Sequence, residues 1–263
     1  MDPGAEDLEA VELAGPPGTR IFLVTLDQPA DRVEAALALL SASERRRAEA
    51  QHGAPARRRF ILRRAALKRA LGAVIGAAPA DLVIAARPDG KPRLVEPWPW
   101  ASLEFNISHA REVAVGVISL DRAVGIDVEW TGGSTPFGAV AERFFSGPER
   151  AALAAVQPGA RRAAFFRTWV RKEAYLKGRG VGISEGIYLT RFGGTMAPEG
   201  ILSEDPEPWR IHDIGGLPDG YLASLALGPA GPVEDPPREH RTGEATRAPS
   251  GAADWNQPLE RRN

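Results

Sequence analysis

Two carboxylates in one short segment have the type and spacing to hold a cation. Asp127 and Glu129 stand two positions apart in the run GIDVE, residues 125–129. Because successive side chains of a strand point to opposite faces, we expect both carboxylates on one face, with Ile126 and Val128 facing the core. Such a pair repels itself unless a cation or a basic group lies between the two carboxylates. Hard oxygen ligands of this kind suit Mg²⁺, although a solvated strand face is the alternative for the pair taken alone.

A third carboxylate and a lysine belong to the clearest predicted helix, residues 161–177. Glu173 lies one turn after Trp169, and Lys177 lies one turn after Glu173, so the three side chains occupy neighbouring parts of one face. The alternative is a surface Glu–Lys pair, which contributes only about 0.3–0.5 kcal/mol. The glycine-rich residues 178–182 follow this helix and could let the backbone approach a ligand closely.

A dense group of basic residues precedes these carboxylates in the chain. Guanidinium groups bind phosphate through paired N–H donors, so phosphate binding is one interpretation of this group. A solvated helix face and a nucleic-acid patch are the alternatives, and the second is disfavoured because Phe60 is the one aromatic ring interleaved with the basic residues. The group comprises Arg45, Arg46, Arg47, Arg57, Arg58, Arg59, Arg63, Arg64, Lys68 and Arg69.

Asn106, Ser108 and His109 close another predicted strand and offer a hydroxyl and an imidazole together. A serine hydrolase would also need a base partner or a nucleophile elbow, and the sequence contains no such pattern. A structural histidine is the alternative at this position.

The elements that would carry these groups follow from hydrophobic periodicity. Apolar or alternating runs predict strands over residues 20–26, 82–87, 103–108, 113–119, 124–129, 187–192, 209–214 and 221–227. Helical spacing predicts helices over residues 32–40, 56–71, 140–145, 148–156 and 161–177. Gly72 and Gly76 would end or loosen the second helix. Residues 88–92 predict a turn, residues 96–100 a loop, and residues 120–122 a hairpin connection.

The order of these elements predicts an α+β protein made of two related halves. We expect the halves at residues 1–122 and 123–228, followed by a disordered tail over residues 229–263, where the chain is polar and rich in Pro and Gly. A faint repeat favours this division, since Arg63-Arg64-Ala65-Ala66 and Arg171-Lys172-Glu173-Ala174 hold similar places in their helices.

Composition excludes several classes of protein. The chain has 263 residues, of which 43% are hydrophobic, so it can form a core. With 33 basic and 34 acidic residues, net charge does not favour nucleic acid or a membrane surface as a partner. The absence of cysteine rules out disulfides and thiolate chemistry. Without a signal-peptide pattern or an apolar run of ~20 residues, we expect a cytoplasmic protein.

Three sequence blocks, in this order and at this spacing, resemble the Sfp-type 4′-phosphopantetheinyl transferase family. They are residues 105–109 (FNISH), 124–129 (VGIDVE) and 169–177 (WVRKEAYLK). Residues 143–149, 90–92 and 40–45 also fit, so the resemblance covers about residues 20–227. It implies a monomer of two pseudo-symmetric α/β halves with the active site at their interface.

The resemblance implies a role for individual residues. Asp127, Glu129 and Glu173 match carboxylates that hold Mg²⁺, with Mn²⁺ as a possible substitute, against the pyrophosphate of coenzyme A. Lys177 matches a lysine that contacts the phosphates. The remaining implied coenzyme A contacts are Arg47, Arg59, Lys91, Ser108 and His109.

The implied reaction moves the phosphopantetheine arm of coenzyme A onto a serine of an apo acyl or peptidyl carrier protein and releases 3′,5′-ADP. Glu173 is the candidate to accept the serine proton, directly or through a metal-bound water, and Lys177 would add positive charge at the leaving side. A non-catalytic relative that binds coenzyme A or a carrier protein is the main alternative. A nucleic-acid binder is the second, and the near-zero net charge argues against it.

Overall fold

The structure of the protein is a computed structural model that describes residues 8, 10–87, 90–95, 103–181 and 209–230. The strands are β1 (Ala10–Leu13), β2 (Thr19–Thr25), β3 (Ile84–Ala86), β4 (Pro92–Leu94), β5 (Glu104–Ala110), β6 (Val113–Ser119), β7 (Arg122–Trp130), β8 (Arg210–Ile214) and β9 (Tyr221–Ala230). The α-helices are α1 (Ala30–Ala38), α2 (Ala42–Glu49), α3 (Ala54–Ile75), α4 (Phe137–Phe144), α5 (Gly147–Ala155) and α6 (Arg161–Arg179).

Some predicted segments lie outside the described residues. They are residues 88–89 of the predicted turn, the loop 96–100, residue 182 of the glycine run, the strand 187–192 and residues 231–263 of the tail. Strand β9 continues to Ala230, so the first two residues of the predicted tail are part of a strand.

Antiparallel pairing organises the described strands into two larger sheets and a small ribbon. The N-sheet has the order β1-β2-β6-β5, the C-sheet has the order β7-β9-β8, and β3 pairs with β4. In the C-sheet, Asp127 of β7 and Asp213 of β8 both stand opposite Ser224 of β9. Directly opposite residues of antiparallel strands share a face, so these three side chains form one row across the sheet.

The two larger sheets pack face to face, and one long helix covers the outer face of each. Ile21 of the N-sheet and Ile126 of the C-sheet are buried in the same core between the sheets. Leu67 of α3 belongs to the core on the outer side of the N-sheet, and Leu176 of α6 to the core on the outer side of the C-sheet. This helix–sheet–sheet–helix arrangement confirms the α+β class.

The topology of the first half is repeated in the second. The order β2-α1-α2-α3-β5-β6 recurs as β7-α4-α5-α6-β8-β9, and in each set the last strand lies between the other two. The two pseudo-symmetric halves expected from the sequence are therefore present, while the division at residues 122 and 123 stays a prediction.

The repeat includes a buried ion pair behind each long helix. Ser41 and Glu44 form a capping box at the start of α2, and Glu44 accepts a hydrogen bond from the Lys68 ammonium of α3 at 3.2 Å. A capping box also starts α5, where Ser146 and Glu149 take these positions. The Glu149 carboxylate accepts a hydrogen bond from the Lys172 ammonium of α6 at 2.7 Å. All four charged side chains are buried.

These ion pairs correct the register of the internal repeat. Because Lys68 and Lys172 hold equivalent places, the segment that matches Arg171–Ala174 is Leu67–Ala70, one helical turn after the predicted match at Arg63–Ala66. The repeat is present, but its predicted alignment was wrong by one helical turn, because the sequence alone does not distinguish an arginine in one turn of α3 from an arginine in the next.

The hairpin predicted at residues 120–122 is wrong. Strands β6 and β7 belong to different sheets, so this turn carries the chain from the N-sheet to the C-sheet. The elements β1, α2 and β4 were not predicted, because each is short and α2 is mostly charged. Gly76 ends α3 with a left-handed φ of 72°, as expected, whereas Gly72 lies inside the helix, which continues to Ile75 beyond the predicted end at residue 71. No helix in the described part of the chain is long and apolar enough to cross a membrane.

Candidate active site

Strand β7 and helix α6 bring the three predicted carboxylates together. Asp127 and Glu129 lie on the face of β7 that α6 covers, opposite the core face of Ile126. Gly125 makes this contact close, because a Cβ atom there would lie 2.1 Å from the Ala174 carbonyl oxygen and 2.2 Å from the Gly178 nitrogen. A side chain at position 125 would therefore push α6 away from the strand. We call Asp127, Glu129 and Glu173 the carboxylate cluster.

Lys177 and Ser108 bind the first member of this cluster. The Ser108 hydroxyl donates to Asp127 Oδ1 at 2.8 Å, and the Lys177 ammonium donates to the Ser108 oxygen at 2.9 Å and to Asp127 Oδ1. Asn106 links the same two strands, since its Oδ1 accepts from the Ile126 backbone nitrogen at 3.1 Å. Polar side chains of β5 thus join the edge of the N-sheet to the edge of the C-sheet at the cluster.

Burial and mutual repulsion raise the proton affinity of two members of the cluster. Burial, and then the charge of Asp127, raises the pKa of Glu129 from its ordinary value of 4.5 to about 7. The charge of Lys177 and a hydrogen bond with Trp169 lower this pKa, but their effect is smaller. Burial, Asp127 and Glu129 raise the pKa of Glu173 to about 7 in the same way. Among the described residues, Lys177 is the cation that lowers the pKa of both glutamates, and one lysine against three carboxylates leaves the cluster short of positive charge.

The cluster has the donor set of a hard divalent cation. Asp127 Oδ2 is buried and has no hydrogen-bond partner among the described residues. That oxygen and the two carboxyls with raised pKa are groups that a cation would satisfy. As the side chains stand, no three His, Cys, Asp or Glu residues in the described part of the chain are arranged to hold a metal ion. The metal assignment therefore stays a proposal, based on chemistry and proximity.

A cavity of about 160 Å³, here called the arginine cavity, lies on the face of β5 opposite to Ser108 and the carboxylate cluster. Arg47, Arg63 and Arg64 line it together with apolar groups that include Pro92 and Ile107. Arg64 Nη1 is buried and has no hydrogen-bond partner in the part of the chain that the structure describes. Burial lowers the pKa of Arg64 to about 10, and burial with the neighbouring charge of Arg47 lowers the pKa of Arg63. Three crowded guanidinium groups in a small concave space favour an anion.

His109 lies between the arginine cavity and the carboxylate cluster. Arg63 Nη1 is 2.9 Å from His109 Nδ1, and the charge of Lys177 also reaches the ring. His109 is exposed on one side, and desolvation by the groups packed around the other side, together with these positive neighbours, lowers its pKa to about 4. The imidazole is therefore neutral at pH 7. A neutral ring can accept a hydrogen bond from Arg63 without adding another positive charge.

Three predicted coenzyme A contacts have different surroundings in the structure. Arg47 lines the arginine cavity, as an anion-binding residue should. Arg59 Nε instead donates to Glu112 at 3.1 Å, on the turn between β5 and β6. The Lys91 ammonium donates to Glu104 at 3.0 Å and to the Gly178 carbonyl at 2.8 Å, where it satisfies the C-terminal end of α6. The binding roles of Arg59 and Lys91 stay predictions.

Arg63 and Arg64, which line the arginine cavity, were not singled out from the sequence. Both belonged to the basic group of ten residues, from which the resemblance selected Arg47 and Arg59 instead. A local signal exists for Arg64 alone, which lies four residues before Lys68 and therefore shares its face of α3.

Comparison with known proteins decides the family. Residues 123–222, which contain the carboxylate cluster, match the model of the 4′-phosphopantetheinyl transferase superfamily. The Synechocystis sp. protein slr0495 is 30% identical over 222 residues, which cover 80% of this chain and 87% of that protein. The chain belongs to the 4′-phosphopantetheinyl transferase superfamily.

Further relatives extend the match to both halves of this transferase. The 4′-phosphopantetheinyl transferase HetI of Nostoc sp. is 33% identical over 165 residues, 63% of this chain and 70% of HetI. A 4′-phosphopantetheinyl transferase of Bacillus subtilis is 26% identical over 204 residues, 77% of this chain and 83% of the relative. The resemblance stated from three short motifs is confirmed as family membership.

Proposed function

We propose that this transferase moves the 4′-phosphopantetheine arm of coenzyme A to a serine of an apo acyl or peptidyl carrier protein and releases 3′,5′-ADP. The observation that carries the proposal is the placement of an arginine-lined cavity and a carboxylate cluster on the two faces of β5. A substrate with a terminal phosphate and an internal diphosphate can use both. The names of the relatives support this general reaction.

The arginine cavity would hold the 3′-phosphate end of coenzyme A. Arg64 offers a buried donor without a partner in the described part of the chain, and Arg47 and Arg63 add positive charge beside it. Pro92 and Ile107 supply apolar surface for a nucleoside. Anchoring this remote end orients the diphosphate, which is how binding energy accelerates a transfer step.

Asp127, Glu129 and Glu173 would hold the Mg²⁺ or Mn²⁺ ion. When bound, the ion supplies positive charge for the diphosphate oxygens. Lys177, now bonded to Asp127 and Ser108, lies beside the same position and can place its ammonium against a phosphate oxygen. Phosphoryl-type transfer depends mostly on such positioning and charge neutralisation.

Glu173 is the residue that we assign to the serine proton. The serine oxygen attacks the β-phosphorus, the bond from phosphorus to the 3′,5′-ADP oxygen breaks, and Glu173 accepts the proton directly or through a water. The pKa of about 7 belongs to Glu173 in the metal-free protein. A cation held by the same carboxylate would lower that pKa, so passage of the proton through a water suits this site as well as direct transfer. Lys177 would stabilise the negative charge that the leaving 3′,5′-ADP acquires.

Intact-protein mass spectrometry of an apo carrier protein tests this function. Incubation with the transferase, coenzyme A and Mg²⁺ should add one phosphopantetheine, ~340 Da from the chemistry of the transferred arm. The gain should disappear with EDTA and in Asp127→Ala. Glu142→Ala is the matched control, because this exposed carboxylate of α4 lies outside the cluster and should leave the gain unchanged.

A panel of fatty-acid, polyketide and peptide carriers decides between transfer and binding only. No mass gain on any carrier would reject the proposed reaction and favour a relative that binds coenzyme A or a carrier without transfer. A gain with EDTA present would reject the metal requirement. Because both halves of the site belong to one chain, we also propose that the monomer is active, and gel filtration of the active fraction checks this.

A further inference from the structure

Three consecutive residues of α6 project in three directions from one point of the helix. Arg171 reaches Asp213 on β8, Lys172 reaches Glu149 on α5, and Glu173 faces the carboxylate cluster. Neighbouring residues of an α-helix are rotated by about 100° from one another, so the three side chains leave the axis on different sides. Any rotation of α6 that moves Glu173 must therefore disturb two ion pairs.

The Arg171–Asp213 ion pair is bidentate and mostly buried. Arg171 Nε donates to Asp213 Oδ1 at 2.9 Å, and Arg171 Nη2 donates to Asp213 Oδ2 at 2.6 Å. The Arg171 side chain is 4% exposed. Ser224 also donates to Asp213 Oδ1 at 2.9 Å, which holds the carboxylate in place. A planar guanidinium bound at two atoms fixes direction as well as distance.

The same pair is tied to the carboxylate cluster through the C-sheet. Asp213, Ser224 and Asp127 form one cross-strand row on the face that α6 covers. Arg171 is therefore anchored at one end of a row whose other end is the cluster residue Asp127. The distance between the anchor and the cluster is set by strand spacing, which is nearly invariant at about 4.8 Å per strand.

Lys172 supplies the second anchor from a different side of α6. Its ammonium is fully buried and donates to Glu149 at 2.7 Å and 2.9 Å. The equivalent pair of the first half, Lys68 and Glu44, has the same arrangement, so this anchor belongs to the frame that both halves share. The Arg171 anchor has no such counterpart, because Leu67 occupies the equivalent position of α3.

We infer that the Arg171–Asp213 pair is a positioning device for Glu173 that sets the rotation of α6 against the C-sheet. The inference rests on the proposed function, because the orientation of Glu173 matters for rate only if Glu173 has the proposed role in transfer. A buried ion pair adds little net stability compared with apolar side chains of similar volume, so stability is a weak reason for its presence. Orientation is a stronger one, since a displacement of about 1 Å at a reacting group can cost 10²-fold in rate.

Kinetics and cation binding of Arg171→Met and Asp213→Asn test the inference. We expect kcat of carrier modification to fall at least about 10-fold in each variant, while KM for coenzyme A changes less than about 3-fold, because the arginine cavity is untouched. The dissociation constant for Mn²⁺, measured by electron paramagnetic resonance with coenzyme A present, should rise in parallel. The double variant should be no worse than the single ones, because both remove the same pair. Arg171→Lys should recover part of kcat.

Arg161→Met is the matched control on the same helix. Arg161 donates to the Val156 and Ala154 carbonyls, away from the cluster, so its loss can lower the melting temperature without changing kcat at 25 °C. Variants of Arg171 and Asp213 with lowered melting temperature but unchanged kcat and Mn²⁺ affinity would overturn the positioning role alone. Absence of transfer by the unmodified protein would overturn the proposed function, and the positioning role with it.

Discussion

The two long helices of this transferase share a frame and differ in the charge that they present. In α3, Lys68 is buried against Glu44 and the following residue is Arg69, while in α6 Lys172 is buried against Glu149 and the following residue is Glu173. Helix α3 lines the arginine cavity, and α6 carries a member of the carboxylate cluster. The duplicated frame thus provides one half that favours an anion and one half that favours a cation.

The helices also differ in how closely they approach their sheets. On the outer face of the N-sheet, the Phe22 ring fills the space above Gly116, where a Cβ atom would lie 2.2 Å from the ring. In the C-sheet Gly125 leaves no such spacer, and α6 contacts the backbone of β7 directly. In the N-sheet Phe22 fills this space with part of an apolar core, whereas in the C-sheet the glycine lets α6 bring its carboxylate up to those of β7. The difference shows how one topology can form two kinds of site.

The largest expected effect comes from exchanging the residue that follows each buried lysine. Glu173→Gln should lower kcat by about 10²–10⁴-fold with the fold intact, because it removes the proposed base and one cation ligand. Arg69→Gln, at the equivalent position of α3, should change kcat less than about 3-fold. Steady-state carrier modification and circular dichroism measure both. Equal losses in the two variants would show that the halves do not divide the chemistry.

The buried lysines themselves should matter equally for stability. Lys68→Met and Lys172→Met each leave a buried carboxylate without its partner, which costs about 3–5 kcal/mol in the free energy of unfolding. Urea denaturation followed by circular dichroism measures the loss. A cost in one half alone would contradict the equivalence of the two frames.

Removing one guanidinium from the arginine cavity should separate binding from chemistry. Arg64→Met should raise KM for coenzyme A by about 10-fold with little change in kcat, since a charged hydrogen bond contributes about 1.5–3 kcal/mol. The variant should also lose the preference of the unmodified protein for coenzyme A over 3′-dephospho-coenzyme A. A preference that survives would place the 3′-phosphate elsewhere.

The smallest expected effect is an opposite pH dependence of stability in the two halves. Glu129 and Glu173 have pKa values near 7 in the folded, metal-free protein and near 4.5 when unfolded, so the folded state binds protons more tightly and stability falls as pH rises from about 5 to 7. In the first half, the hydrogen bond from Arg59 lowers the pKa of Glu112, so that contribution is lost as pH falls through the lowered pKa.

Thermal unfolding in EDTA between pH 4 and 8 measures this dependence. Glu129→Gln with Glu173→Gln should remove on the order of 1–2 kcal/mol of the decline toward pH 7. Glu112→Gln should leave that decline in place and flatten the acid side. An unchanged decline in the double variant would mean that the cluster does not carry the raised pKa values.

Much of the chemistry was predictable because it depends on short-range periodicity. The alternation of β7 was enough to place Asp127 apart from Ile126, and the helical spacing of α6 was enough to place Glu173 beside Lys177. Helix α6 begins at the predicted residue, Arg161, and ends two residues after the predicted end, at Arg179. Strand β6, Val113–Ser119, has the predicted bounds. The prediction of a hairpin at residues 120–122 was wrong, because a short turn between two consecutive strands has the same sequence pattern whether or not the two strands pair.

The sequence by itself determined the secondary structure around the site and the family, because periodicity and motif spacing are local properties of the chain. Only the tertiary structure decided which charged groups meet, since Lys91 reaches Gly178 across 87 positions and Arg171 reaches Asp213 across 42. It also selected Arg63 and Arg64 from ten basic residues by enclosing them in a cavity. The physical reason is that burial determines the pKa of a charged group and how strongly it interacts with its neighbours, and burial is a property of the whole fold.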